Sequence, residues 1–394
     1  VDLGPQARRQ VQRRTWRHCC ILSPPPPCAD LSLTGAAHAS EPEPPLRCGA
    51  VSTRPFIAAR VEEFIDRRIE GVLRGLGWRE KVICYTGYGT SESIRVLGRV
   101  VLVPKRARGG LGKATEELIK RRGFRNFFSA ACVRAAVTIT VGDQVVSATT
   151  DRGGYIDQRI RNHDLPSGWQ QVRMRSRTSK MASADVHVVA DDVDFGVVSD
   201  IDDTIISTWL PRPLIAAWNS FIRDESARQS VPGMARMYTT LLDEHPGAPV
   251  IYISTGAWNT HGFLSRFLKR HGYPHGAMLL TDWGPTNTGW FRSGMAHKAD
   301  SLLQLTRDFP NIRWVMVGDD GQHDPVIYAN FAHVAPDRVR AIAIRQLSPA
   351  EQVLAHGTLS VLPEEQEAVA DTPWVVAPDG RGLLAGLRAL PKPL

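Results

Sequence analysis

Apolar and polar positions along this chain follow two different rhythms, and the change comes near residue 195. Before it lie short β-branched runs: "KVICYTGYGT" (81–90), "IRVLGRVVLV" (94–103), "RAAVTITV" (134–141), "QVVSATT" (144–150), "QQVRMRS" (170–176) and "ADVHVVA" (184–190). Turn signals such as "GDQ" and "DRGGY" separate them, a pattern that predicts a small β-sandwich-like domain. Val61, Phe64, Ile65, Ile69, Val72, Leu73 and Leu76 recur at helical spacing and predict a helix over 56–76; another helix is expected around 113–124. After residue 195 the runs "FGVVS" (195–199), "APVIYIS" (248–254), "AMLLT" (277–281), "NIRWVMV" (311–317) and "VRAIAI" (339–344) are almost continuously apolar. Helical stretches at 258–272 and 298–309 lie between them. Strands that are apolar on both sides, alternating with helices, predict an α/β domain whose parallel sheet is covered on both faces.

Composition sets the domain plan around these elements. A chain of 394 residues with 43% hydrophobic content can bury two cores. Residues 1–50, with "PPPP" (24–27) and "EPEPP" (41–45), lack periodicity and are expected to form a disordered tail. The helix and β-rich domain occupy 51–194, the α/β domain 195–350, and a C-terminal extension 351–394. Within that extension "TPWVVAPDGRGLLAGL" (372–387) predicts a short helix and no chemistry. No apolar run reaches the roughly 20 residues that cross a bilayer. "CCIL" near the N-terminus is too short for a signal-peptide core, so a cytoplasmic protein is expected. The six cysteines, "HCC" (18–20) included, follow neither zinc spacing nor a disulfide framework.

The net charge of +8 is unevenly spread. Residues 51–180 hold 25 Lys and Arg against 12 Asp and Glu, whereas residues 181–394 hold 17 against 24. In "KRRGFRNFF" (120–128), basic residues interleave with Phe124, Phe127 and Phe128. That combination suits peripheral contact with an anionic membrane surface, at about 1 kcal/mol per basic group. Against it stands the plainer reading of solvated arginines and core phenylalanines. Nucleic acid is not an expected partner.

Candidate chemistry gathers where the α/β strands end. "VSDIDDT" (198–204) runs from apolar strand into Asp200, Asp202, Asp203 and Thr204. Ser254 and Thr255 follow the second strand, "GDDGQHD" (318–324) follows "WVMV", and Lys298 begins a helix. In such sheets ligands bind beyond the carboxyl ends of the strands, so four segments should converge there. This residue set fits phosphoryl transfer. Asp200 is a competent nucleophile toward phosphorus. Asp202, two positions on along extended chain, points the same way and can serve as acid and base. Ser254 can donate to a phosphate oxygen, and Lys298 can neutralise developing charge. A hard cation is then required, and Mg²⁺ finds its carboxylates in Asp319, Asp320 and Asp324.

These motifs, in this order, resemble the haloacid dehalogenase (HAD-like) superfamily of aspartate-nucleophile phosphatases. "VSDIDDTI", "YISTGAWN", "HKADSLLQL" and "FPNIRWVMVGDDGQHDPVIYANFA" resemble more narrowly the actin-patch-type phosphatidate phosphatase family. The resemblance implies a Rossmannoid sheet, a Mg²⁺ cofactor and hydrolysis of phosphatidate to diacylglycerol and phosphate. It implies Asp200 as nucleophile and Asp202 as acid/base, with Ser254 and Lys298 at the phosphate and Thr204 and Thr255 beside it. Metal ligands would come from Asp200, the Asp202 carbonyl, Asp319 and Asp324. The family often has Ser where Asp320 stands and Asn where Thr255 stands; the extra carboxylate leaves open which acid ligates. Two other functions compete: an enzyme for a soluble phosphomonoester or phosphoprotein, and a non-catalytic lipid-binding module. "TWLPRPLIAAWNSF" (208–221) suggests an apolar flap over a lipid phosphate.

Overall fold

The computed structural model describes residue 68 and residues 70–104, 130–207, 229–281, 294–321, 323–349, 351–352 and 372–391. The expected tail over 1–50, the helix at 113–124, the basic–aromatic stretch at 120–128 and the flap at 208–221 lie outside them. Of the helix expected over 56–76, only its last turns are described, and 70–75 are helical.

The alternating runs become β1 (Arg79–Thr90), β2 (Ser93–Val103), β3 (Ala130–Ala131), β4 (Ala136–Val141), β5 (Gln144–Thr149), β6 (Tyr155–Arg161), β7 (Gly168–Ser176) and β8 (Ala182–Val189). In β7, Val172 and Met174 are buried while Arg173 and Arg175 face outward, the period of two that a half-buried strand requires. The strand order is β3-β2-β1-β8-β7-β4-β5, with β6 also on β2. Where the sequence predicts a sandwich, these strands form one continuous sheet. Val96 of β2 and Ile139 of β4 lie four places apart in that order, yet share a core with Ile156, Val172 and Val186. The sheet therefore curls around a single core.

The apolar runs become a second sheet of parallel strands: β9 (Phe195–Asp200), β12 (Val250–Ala257), β13 (Ala277–Thr281), β14 (Arg313–Asp319), β15 (Val339–Arg345) and β16 (Trp374–Ala377). A two-residue pairing of β10 (Ile206–Ser207) with β11 (Gln229–Ser230) precedes β12. The helices fully bounded among the described residues of this layer are α1 (Met234–Glu244), α2 (His261–Arg270), α3 (Gly294–Asp308), α4 (Asp324–Val334) and α5 (Gly380–Arg388). Val197 of β9 packs with Met237 of α1, Phe263 of α2 and Leu383 of α5. Its neighbour Val198 packs on the other side, with Leu302 of α3 and Phe331 of α4. Every residue of β9 is thus buried, which is why its sequence does not alternate.

The order β13-β12-β9-β14-β15-β16 is a doubly wound arrangement whose connections reverse direction between β9 and β14. The sixth strand comes from the segment for which the sequence predicts only a short helix. That helix is present as α5, capped by the Asp379 carboxylate accepting from the Arg381 and Gly382 amides. Tyr85, Tyr88 and Leu97 of the curled sheet enter the core beside α3 and α4, so the two sheets are joined through an apolar contact.

Candidate active site

Register places the motif residues along one edge of the parallel sheet. Asp200 pairs with Ile253 of β12 and Ser199 with Val317 of β14. The next residues of each strand, Ser254 and Gly318–Asp319, therefore emerge beside Asp200. This is the switch point, where a parallel sheet opens a crevice. Asp324 enters from the first turn of α4, and Lys298 reaches in from α3. Gly318 makes room for Asp324: a Cβ there would stand 2.7 Å from both the Cβ and Oδ2 of Asp324.

Asp200, Asp319 and Asp324 each offer a carboxylate oxygen within 4.8 Å of the others, and all three are buried. Lys298 Nζ donates to Asp200 Oδ1 at 2.7 Å and to Asp324 Oδ1 at 2.5 Å. Asp319 Oδ1 accepts the Gly321 amide at 2.8 Å. The second oxygen of each acid, Oδ2, is buried without a hydrogen-bond partner among the described residues. One ammonium against three buried carboxylates leaves uncompensated negative charge, which costs several kcal/mol per ion. Burial accordingly raises the pKa of Asp200 well above the carboxylate range, with Lys298 opposing and Asp324 and Asp202 adding to the rise. For Asp319, burial and then Asp324 and Asp200 act in the same direction. Burial disfavours the Lys298 ammonium, but Asp200 and Asp324 outweigh it and hold that pKa above the ordinary lysine value. Three convergent carboxylates with unpartnered oxygens fit a hard, oxygen-liganded divalent cation.

Asp202 lies apart from this cluster. It is half-buried, and its Oδ2 accepts the Ser254 hydroxyl at 2.8 Å, while Ser254 Oγ accepts the Gly256 amide at 2.9 Å. The next residue, Asp203, has φ 58°, a left-handed turn that brings the chain back so that its amide donates to the Ile206 carbonyl. Thr204 is fully buried, its hydroxyl unpartnered among the described residues. Thr255 is exposed at the rim.

Asp320 is not brought to the cluster. Its Oδ1 accepts the Leu347 amide at 2.8 Å and its Oδ2 faces Gln352 Nε2 at 3.5 Å. Successive residues leaving β14 point opposite ways, so Asp319 takes the crevice side and Asp320 the other. Sequence reasoning also passed over Arg345 and Glu351, which touch the loop after Asp202; the available signal was a buried arginine ending an apolar strand.

Residues 195–346 match the family model of the phosphatidate phosphatase APP1 catalytic domain. Phosphatidate phosphatase APP1 of Saccharomyces cerevisiae is 28% identical over 152 residues, covering 38% of this chain and 25% of that protein. An uncharacterized protein of Schizosaccharomyces pombe is 25% identical over 160 residues, covering 40% of this chain and 26% of that one. The chain thus spans about a quarter of the length of the curated relatives it matches. Among solved structures, a carbohydrate acetylesterase from Xanthomonas citri overlaps 77% of this chain and 70% of its own, at 9% identity and a TM-score of 0.31, a likeness that carries no functional argument. Over residues 195–346 the chain is thus similar to the catalytic domain of APP1-type phosphatidate phosphatases.

Proposed function

We propose that this protein is a Mg²⁺-dependent, HAD-like phosphatase that hydrolyses phosphatidate to diacylglycerol and phosphate through an aspartyl-phosphate on Asp200. The observation that carries the reading is the buried group of Asp200, Asp319, Asp324 and Lys298, whose carboxylates keep three oxygens unpartnered among the described residues. The lipid substrate is taken from the S. cerevisiae relative's description.

Asp200, Asp319 and Asp324 would hold the cation, joined by the Asp202 carbonyl that the family resemblance adds. When bound, Mg²⁺ offsets the charge of the carboxylates and of the substrate phosphate. Lys298 holds Asp200 in place and adds positive charge beside the reacting phosphorus. The Asp200 carboxylate attacks phosphorus; its new O–P bond forms as the bond to the glycerol oxygen breaks, and Asp202 gives that oxygen its proton. Water then attacks the aspartyl-phosphate and yields its proton to Asp202, releasing phosphate and restoring Asp200. Ser254 holds the Asp202 carboxylate by donating to it. A substrate with its head group at a membrane surface brings the enzyme to an anionic interface, and the basic excess of 51–180 supports such peripheral contact.

The test is phosphate release from dispersed phosphatidate and from soluble phosphomonoesters, with and without a chelator. Mg²⁺-dependent release favouring phosphatidate is expected. Preference for a soluble ester would replace the substrate, and release that survives chelation would remove the metal.

A further inference from the structure

The loop that carries Asp202 is gripped from the far side by two residues to which the mechanism above gives no part. Arg345 ends β15 and is only 5% exposed, in register with Asp319. Its Nη1 donates to the Asp203 carbonyl at 2.6 Å and its Nη2 to Glu351 Oε1 at 2.6 Å. The same Glu351 oxygen accepts the Ser207 hydroxyl at 3.0 Å, and Glu351 Oε2 accepts the amide and hydroxyl of Ser348, each at 2.9 Å. The guanidinium and its carboxylate thus reach both ends of the 203–207 segment. At the first of those ends, Asp203 holds a left-handed conformation that a residue with a Cβ disfavours. A second tie fixes the grip itself: the Asp320 amide donates to the Arg345 carbonyl at 3.0 Å, and Asp320 Oδ1 accepts the Leu347 amide.

We propose that Arg345 and Glu351 form a positioning clamp that fixes the 202–207 loop and sets the angle at which Asp202 meets the leaving oxygen. The clamp touches neither substrate nor the three clustered carboxylates. Its effect passes through the Asp203 carbonyl, one peptide from Asp202, while Ser254 fixes the carboxylate end of the same residue. Arginine suits the task because one planar group donates in separate directions at once, which a lysine ammonium on a flexible stem does not reproduce. The catalytic part of this inference rests on the phosphatase reading.

The experiment compares wild type, Arg345→Lys and Glu351→Ala by two readouts. The first is kcat on dispersed phosphatidate, whose alkoxide leaves only with a proton, and on 4-nitrophenyl phosphate, whose phenolate leaves without one. The clamp predicts a loss on phosphatidate at least about tenfold larger than on the aryl ester, with KM little changed. It also predicts no added selective loss when Arg345→Lys is combined with Asp202→Asn. The second readout is hydrogen exchange of the 201–207 amides against those of β9, which needs no activity. Exchange faster by about tenfold or more in the loop alone is expected. Equal loss on both substrates, or unchanged loop exchange in a folded variant, would overturn the clamp. If Arg345→Lys does not fold, Glu351→Ala carries the same test. Wild type inactive on both esters would overturn the phosphatase reading instead, while the exchange data would still decide whether the loop is clamped.

Discussion

Two groups of charged side chains, each built around buried carboxylates, lie along α3, and they are satisfied in opposite ways. Near its C-terminal end, Asp308 Oδ2 accepts the Tyr88 hydroxyl at 3.0 Å, and Oδ1 accepts Gln304 Nε2 at 2.8 Å and pairs with Arg159. Arg95 donates to the Tyr88 oxygen at 2.7 Å and, with both arms of its fork, to Asp157. Two arginines meet two carboxylates there, and both Asp308 oxygens are partnered. Toward the other end of the helix, Lys298 faces three carboxylates that keep three buried oxygens without partners among the described residues. The first group ties the curled sheet to the α/β layer and is complete as it stands. The second leaves negative charge unpartnered among the described residues, which is the basis of the metal site proposed above. A buried charge that closes on itself reads as architecture, and one that does not reads as a binding site.

The comparison breaks most visibly at Asp200. Asp200→Asn should lower phosphatase activity at least about a thousandfold, since an amide cannot attack phosphorus. The metal-free variant should nevertheless melt no lower than wild type, because a poorly compensated buried carboxylate has become neutral. Asp308→Ala should do the reverse. It strands Arg159 and the Tyr88 hydroxyl and should destabilise the fold by about 2 kcal/mol, discounted because Arg159 is a third exposed. The denaturation midpoint measures this, and added Mg²⁺ should not change the difference from wild type.

Acidity sharpens the contrast further. The folded-state pKa values of Asp200 and Asp319 are raised, so between the unfolded carboxylate value, about 3.9, and those raised values the folded chain binds more protons than the unfolded one. Their contribution to stability therefore grows as pH falls through the folded values and levels off below the unfolded one. Subtracting the Asp200→Asn curve from that of metal-free wild type isolates part of this contribution, and saturating Mg²⁺ should flatten it. The smallest effect is expected at Asp320→Ser. Losing the bond to the Leu347 amide should cost about 1 kcal/mol of stability, with the Mg²⁺ requirement for activity unchanged.

Much of this was legible in the sequence, and the exceptions have physical causes. The runs at 195–199, 277–281 and 339–344 fall within or coincide with β9, β13 and β15, because a strand buried on both faces leaves an unbroken apolar signature. The strand β6, "YIDQRIR", was not legible as a strand: only Ile156 and Ile160 are buried, while Asp157 and Arg159 serve polar contacts on its other side. The four residues of β16 were too few to separate from the helix that follows. At the site, strand-end positions predicted that Asp200, Lys298 and the acids of 318–324 converge, and the structure brings Asp200, Asp319, Asp324 and Lys298 together. Spacing could not separate Asp319 from Asp320, since that depends on which side of the chain Leu347 docks. Arg345 lies in the run "RVRAIAIRQL", which showed no contact for it, because that contact is with a carbonyl 142 positions away.

The most direct measurement of the central claim looks for phosphorus on the protein itself. Enzyme turning over phosphatidate in Mg²⁺ is quenched in acid, digested and mapped by mass spectrometry. The account predicts one phosphoryl group on the peptide containing 198–204, located at Asp200, removed by hydroxylamine and missing from Asp200→Asn. Free phosphate produced at full rate with no phosphoryl group on that peptide, or an undiminished rate from Asp200→Asn, would contradict it.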